Sequence, residues 1–156
     1  MELTYRKAEV TDAEMLIEIY DAAFEPDVKR FGGCPAYGYS VERMQQSMID
    51  YTKYIIMSGG VPIGCISFKE LEAGVYEVGC LCIIPEFQGK GAGRAAMEFA
   101  KSHLTDWRCF TLVTPFEKTE NMKFYTEKCG FEVRGYEYVD GVKLARLVLM
   151  RNCAEI

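Results

Sequence analysis

The order of apolar and polar positions changes its period several times along the chain. Residues 3 to 7 read as a short strand, and Thr11-Asp12-Ala13-Glu14 then sets Thr and Glu at the spacing of a capping box that opens a helix. Leu16, Ile17, Ile19, Tyr20 and Phe24 recur at helical spacing, which carries the helix to about Phe24 with one face on a core. The pattern then fails. Pro26, Gly32, Gly33, Pro35 and Gly38 interrupt Phe31, Tyr37 and Tyr39 over residues 25–39, so a loop bearing aromatics is expected. Loops beyond roughly 12 to 15 residues are uncommon unless functional or disordered, which makes Phe31, Tyr37 and Tyr39 candidate substrate-binding residues on a lid. An ordinary packed surface loop is the competing reading. Ser40 is placed to cap a second helix, with Val41, Met44, Met48 and Ile49 along its inner face.

From Tyr54 the period becomes that of a sheet. Tyr54–Met57, Pro62–Leu71 and Val75–Ile84 are rich in β-branched and aromatic residues, and Gly59-Gly60 and Glu72-Ala73-Gly74 separate them as hairpin connections. A helix follows from near Gly91 to about His103, then a strand at Cys109–Thr114 and a helix near Glu120–Lys128. Two last strands, Phe131–Tyr138 and Val142–Arg151, turn at Asp140-Gly141. The fold class is α/β, or α+β with a mixed sheet.

Composition narrows the class. The chain has 156 residues, 49% of them hydrophobic, and a formal charge of −5. A chain of this length typically buries roughly 70% of its unfolded surface, so a single folded domain, 1–156, is expected and disorder is excluded. The acidic balance offers no bulk attraction to phosphate backbones or anionic lipid, and no nucleic-acid or membrane partner is expected. The longest apolar run, Val78 to Pro85, is too short to span a bilayer. The amino terminus lacks the apolar stretch of a secretory signal, which points to a cytoplasmic protein. Seven cysteines, an odd number without framework spacing, suit free thiols. Cys80 and Cys82 share a strand face, but no second Cys or His pair completes a metal site. The lone His103 reads as structural or exposed at a helix end.

The chemistry concentrates between Val78 and Arg94. An apolar strand ending Cys82-Ile83-Ile84-Pro85 runs into Gln88-Gly89-Lys90-Gly91-Ala92-Gly93-Arg94 and then a helix. Glycines let backbone approach a ligand closely, and the first amides of a helix lack internal partners at the positive end of its dipole, so the turn suits an anion. Lys90 and Arg94 add charge there. No Lys-Ser/Thr follows the glycines, which excludes a Walker loop. The dinucleotide fingerprint would need its third glycine at Ala96, where alanine is tolerated, but the loop follows antiparallel hairpins rather than opening a parallel βαβ unit.

On these residues the sequence resembles the GCN5-related N-acetyltransferase (GNAT) superfamily. Gln88-Gly89-Lys90-Gly91-Ala92-Gly93 matches its Gln/Arg-x-x-Gly-x-Gly/Ala signature, and Phe124-Tyr125-Thr126-Glu127-Lys128-Cys129-Gly130-Phe131 resembles its second motif, Phe/Leu-Tyr-x-x-x-x-Gly-Phe. The resemblance extends over nearly the whole chain. It implies a mixed, mainly antiparallel central sheet of about seven strands flanked by about four helices. It further implies acetyl-CoA as the cofactor, its pyrophosphate on the turn amides of Gly89 to Arg94 with Gln88 beginning the loop. Cys82, Ile83 and Ile84 would pair with the pantetheine arm through their main chain, one amide polarising the thioester carbonyl. Tyr125 falls on the family's general acid, a fitting role for a phenol near 10 facing a leaving thiolate whose thiol titrates at about 8.5. Many relatives carry a cofactor-contacting Asn seven residues before that tyrosine. Here Lys118 stands there, a candidate phosphate partner, and Asn121 is the candidate cofactor contact. Glu77 is the candidate general base acting through water, with Glu117 and the lid tyrosines as fallbacks and a solvent-facing strand position as the plain alternative.

The expected activity is acetyl transfer from acetyl-CoA to a primary amine of a small molecule or protein by direct attack. A non-catalytic acyl-CoA-binding or sensor module and a nucleotide-binding domain using the same turn are the alternatives. Negative charge is compatible with polyamines, aminoglycosides or protein amino termini as acceptors but selects none. The exposed last strands are candidates to pair with a second chain as a homodimer.

Overall fold

The computed structural model describes residues 2–152. Strand β1, Leu3–Lys7, leads through a short 3₁₀ turn at Val10–Asp12 into helix α1, Ala13–Phe31. The capping box is built earlier than Thr11 and Glu14 suggest. Asp12 Oδ2 accepts from the Glu9 amide at 2.8 Å while both Asp12 oxygens hold the Arg6 guanidinium at 2.9 and 3.1 Å. Arg6 thereby keeps the Asp12 carboxyl below its ordinary range.

Helix α1 also outruns its expected end, passing through Pro26 to Phe31. Proline removes one amide from the ladder, and the turn beyond it is held by a Glu25–Lys29 pair at 3.3 Å and by Gly32, left-handed at φ 82, whose amide donates to Val28 O at 2.9 Å. The long aromatic loop therefore shrinks to the stretch between Gly32 and Ser40, and it is anchored. Gly38 N donates to Asp21 Oδ1 at 2.9 Å, and Tyr39 packs edge-on against Tyr20 at 5.8 Å beneath the Arg43 guanidinium at 4.0 Å.

Helix α2, Val41–Asp50, begins where Ser40 Oγ accepts from Arg43 N at 3.1 Å. Met44 is fully buried and Met48 packs beside it, but Val41 and Ile49 face outward, Ile49 with 76% of its surface exposed. Val41 is in phase with Met44 and Met48 but lies at the first helical position, where the stripe runs out, and Ile49 sits about 100° around the helix from Met48.

Strands β2 (Thr52–Ser58), β3 (Val61–Glu72) and β4 (Val75–Ile83) follow, with Gly59 and Gly60 both left-handed at φ 55 and 81 in the first hairpin. Helix α3 is Ala92–His103, β5 Cys109–Pro115 and α4 Thr119–Lys123. The expected single helix to Lys128 instead changes to a π turn over Phe124–Lys128, closed by Cys129 N on Phe124 O at 3.1 Å. Strands β6 (Glu132–Val139) and β7 (Val142–Met150) turn on Asp140 and Gly141, both at positive φ.

The seven strands form one sheet in the order β1-β2-β3-β4-β5-β7-β6. Pairs β1–β2, β2–β3, β5–β7 and β6–β7 are antiparallel, while β4 and β5 run parallel through Val75–Glu77 and Cys109–Thr111. The sheet is thus mixed and mostly antiparallel, with four α-helices among the described residues. By contact density the chain divides into two compact units, one of residues up to Lys69 with Gly79–Ala96, the other of Glu70–Val78 with the residues from Met97 onward. In the first, Leu16, Ile19, Tyr20 and Met44 of α1 and α2 bury Ile55, Cys65 and Cys82 of the sheet. In the second, Phe110 is fully buried against Trp107 at 4.9 Å and Tyr76 at 6.0 Å. No helix among the described residues is long and apolar enough to cross a membrane.

Candidate active site

In the first unit the end of β4 and the start of α3 enclose a glycine turn. Ile84 N donates to Ile63 O at 2.8 Å, so its amide is taken up by β3. Backbone groups of a strand alternate between its two edges, which puts the Ile83 amide on the opposite edge from that of Ile84. Of Cys82, Ile83 and Ile84, which sequence reasoning treated alike, Ile83 is therefore the one placed to present an amide away from β3. Its carbonyl accepts from Gln88 Nε2 at 2.8 Å, so Gln88 braces the turn from within. Pro85–Phe87 form one 3₁₀ turn between them.

Gly89 and Gly91 are left-handed, at φ 74 and 84, and a Cβ on either would meet nothing within 4 Å. Only glycine adopts that backbone without strain, and the space beside it is open to a ligand. The first α3 bond runs from Ala95 N to Gly91 O at 3.0 Å, so the amides of Ala92, Gly93 and Arg94 precede the intrahelical ladder. Arg94 is exposed and Lys90, also exposed, holds its ammonium 5.4 Å from the Phe87 ring. Open glycines, unladdered amides and two cations fit a diphosphate, the group that coenzyme A would bring to this turn.

The second unit carries the other candidates on separate elements. Glu77, half-buried, stands on β4 opposite Thr111 of β5. Asn121, in α4, donates to Thr114 Oγ1 at 3.4 Å, and Lys118 is the residue preceding that helix. Glu117 is exposed. Tyr125 lies in the π turn, only 7% exposed, edge-on to Phe124 at 5.0 Å and Phe131 at 5.5 Å, and its carbonyl accepts from Phe131 N at 2.9 Å. His103 is exposed and stacks on Phe99 at 5.2 Å.

The lid aromatics are not gathered. Phe31 ends α1 beside Arg30, Tyr37 is exposed, and Tyr39 is packed on Tyr20, with no ring contact joining the three among the described residues. The thiols, in contrast, converge. Cys65 and Cys82 are buried in the first unit with Cys80 near them, and burial pushes the Cys65 thiol up to about 12 while the Cys80 hydrogen bond and burial push Cys82 up well above its ordinary range. Among the described residues no group of three His, Cys, Asp or Glu could hold a metal, and the six described cysteines form no disulfide. Cys153 lies outside the described residues.

Sequence reasoning missed Lys53 and Ser67, which are 4% and 0% exposed. Lys53 precedes the strand expected from Tyr54, and Ile55 and Ile56 on its two phases are both fully buried, so alternation alone did not mark Lys53 as buried.

The sequence model of the acetyltransferase (GNAT) family matches residues 13–131. The UPF0157 protein YqkA of Bacillus subtilis (strain 168) is 26% identical over 148 residues, 95% of this chain but 40% of that protein, so the chain spans about two-fifths of its curated relative. An acetyltransferase from Thermus thermophilus has the same fold at a TM-score of 0.77, with 20% identity over 97% of this chain and 98% of that one. The PaiA N-acetyltransferase of Thermoplasma acidophilum, solved in complex with coenzyme A, superposes at 0.74 with 21% identity, covering 94% and 98%.

Proposed function

The chain belongs to the acetyltransferase (GNAT) family, and from that premise we propose that it is an N-acetyltransferase moving the acetyl group of acetyl-CoA to a primary amine. The observation that carries the proposal is the turn from Gln88 to Arg94, where two left-handed glycines and the first amides of α3 offer a cradle for diphosphate. Acetyl-CoA, when bound, supplies the thioester and a thiol leaving group.

The chain's own residues then divide the work. Gly89 to Arg94 hold the diphosphate through main-chain amides, with Lys90 and Arg94 adding charge and Asn121 and Lys118 as further contacts. The Ile83 amide polarises the acetyl carbonyl, an electrostatic contribution that grows as negative charge develops on its oxygen. Glu77 accepts, through water, the proton that a primary amine must lose before it can attack. Tyr125 donates its phenolic proton to the departing thiolate.

Release of free coenzyme A thiol from acetyl-CoA, followed in the presence of mixed amines, tests the reading. Amine-dependent release is expected. Saturable acetyl-CoA binding with no release from a broad amine panel replaces it with an acyl-CoA sensor. Displacement of acetyl-CoA by ATP or NAD in a thermal-shift competition replaces it with a nucleotide-binding domain.

A further inference from the structure

We propose that the acceptor amine carries an anionic group, a carboxylate or a phosphate, and that Lys53 and Ser67 receive it. The proposal rests on the N-acetyltransferase reading for the word acceptor, and on the first unit alone for the site. Lys53 of β2 and Ser67 of β3 are direct cross-strand partners, so their side chains rise from the same face of the sheet toward α1. Lys53 Nζ donates to Tyr20 Oη at 2.8 Å and lies 5.2 Å from the Tyr20 ring and 5.8 Å from that of Tyr51. Its partners are a phenol and two ring faces. Among the described residues no carboxylate reaches it, although the chain has 23 acidic residues. Ser67 Oγ, fully buried beside it, has no hydrogen-bond partner.

The groups around this ammonium do not supply the missing negative charge. Burial pushes the Tyr20 phenol well above its usual range, and the Cys65 and Cys82 thiols are raised as well, so all three stay neutral at physiological pH. A buried cation is normally paired, and a buried hydroxyl normally bonded. Here a buried amine bonded to a neutral phenol and a buried hydroxyl with no partner are cross-strand neighbours, and no anionic acceptor joins them.

The surroundings show what covers the pair. Gly79 of β4 is exposed, and a Cβ there would come within 3.0 Å of Ser67 Oγ and 2.5 Å of the Tyr51 ring. Lys69, exposed on the same phase of β3 as Ser67, holds its ammonium 5.7 Å from that ring. The Tyr51 ring, half-buried and flanked by two lysines, lies directly on Gly79 and covers Ser67, so an anion enters only when the ring swings aside. An anion drawn in by Lys69 would meet Ser67 Oγ and Lys53 Nζ beyond the ring.

Two measurements test the proposal. Backbone amide resonances of Ser67 and Gly79 are followed while inorganic phosphate is added, and the same is done with Ser67→Ala and Lys53→Met. Saturable shifts are expected in the native chain and weaker ones in both variants. Coenzyme A release is then compared for amines that differ only in bearing a carboxylate or phosphate, or its amide or alcohol counterpart. The anionic member should show at least a tenfold higher kcat/KM, a margin within reach of a site built to bond a substrate group, and Ser67→Ala should narrow it. Should Lys53→Met fail to fold, Ser67→Ala carries the comparison, since it deletes one unbonded oxygen. Phosphate leaving the Ser67 and Gly79 amides unmoved, or paired amines turning over within twofold of each other, overturns the proposal. Failure of the acetyltransferase reading looks different: the Gly89 and Gly91 amides do not respond to acetyl-CoA and no thiol is released from any amine.

Discussion

Tyr125 shows how one residue can be legible in type and illegible in setting. Its ring is wedged between Phe124 and Phe131 and 7% exposed, so Tyr125→Phe keeps the packing and deletes only the hydroxyl. Turnover is expected to fall by roughly 10² to 10⁴ if proton delivery limits the reaction, with acetyl-CoA affinity unchanged in calorimetry. A variant as fast as the parent would take the residue out of its role. The motif around Tyr125 is readable because its Gly and Phe are fixed in order. Lys53 and Ser67 belong to no motif, and their burial depends on which strand lies opposite. A strand's phase says which residues share a face, but not which face α1 will cover.

At the scale of elements, the sheet was readable and the helix ends were not. Gly59-Gly60 and Asp140-Gly141 force two-residue turns because both positions need positive φ, and that fixes the strands on either side. Pro26 reads as a stop, yet α1 continues past it to Phe31 and is closed there by the left-handed Gly32. The π turn left no mark on the apolar spacing, since its wide ring is closed by a main-chain bond, Cys129 N to Phe124 O, that side-chain periodicity does not announce. The glycine turn is the element where conformation and ligand meet. Gly91→Val places a β-branched residue at φ 84, a strain of about 1–2 kcal/mol, and points its methyls into the space open to diphosphate. Acetyl-CoA affinity should drop at least tenfold in calorimetry, with the melting temperature lowered by only a few degrees. Unaltered affinity would mean that the cofactor does not lie against this turn.

For the molecule as a whole, the buried thiols set a limit on the alkaline side. Cys65 is pushed up to about 12 and Cys82 is raised too, so the folded chain holds them neutral where an unfolded chain, near 8.5, would ionise them. The unfolded state then binds fewer protons, and stability that is complete below about pH 8 is lost progressively as pH climbs toward 12. The urea midpoint should fall steadily from pH 8 to 11, and less steeply in Cys65→Ala. A midpoint that stays level across that range would show the thiols to be water-exposed.

The strand order has a consequence for how the chain is made. Strand β7 sits between β5 and β6, although β6 is synthesised first. A chain ending at residue 139 therefore has β5 with one edge bare and β6 with no neighbour to join. Both wait for residues 142–150, which slot between them and close two ladders at once. Prematurely terminated products ending between those points would carry an adhesive β5 edge, the kind of surface that chaperones shield and aggregates recruit.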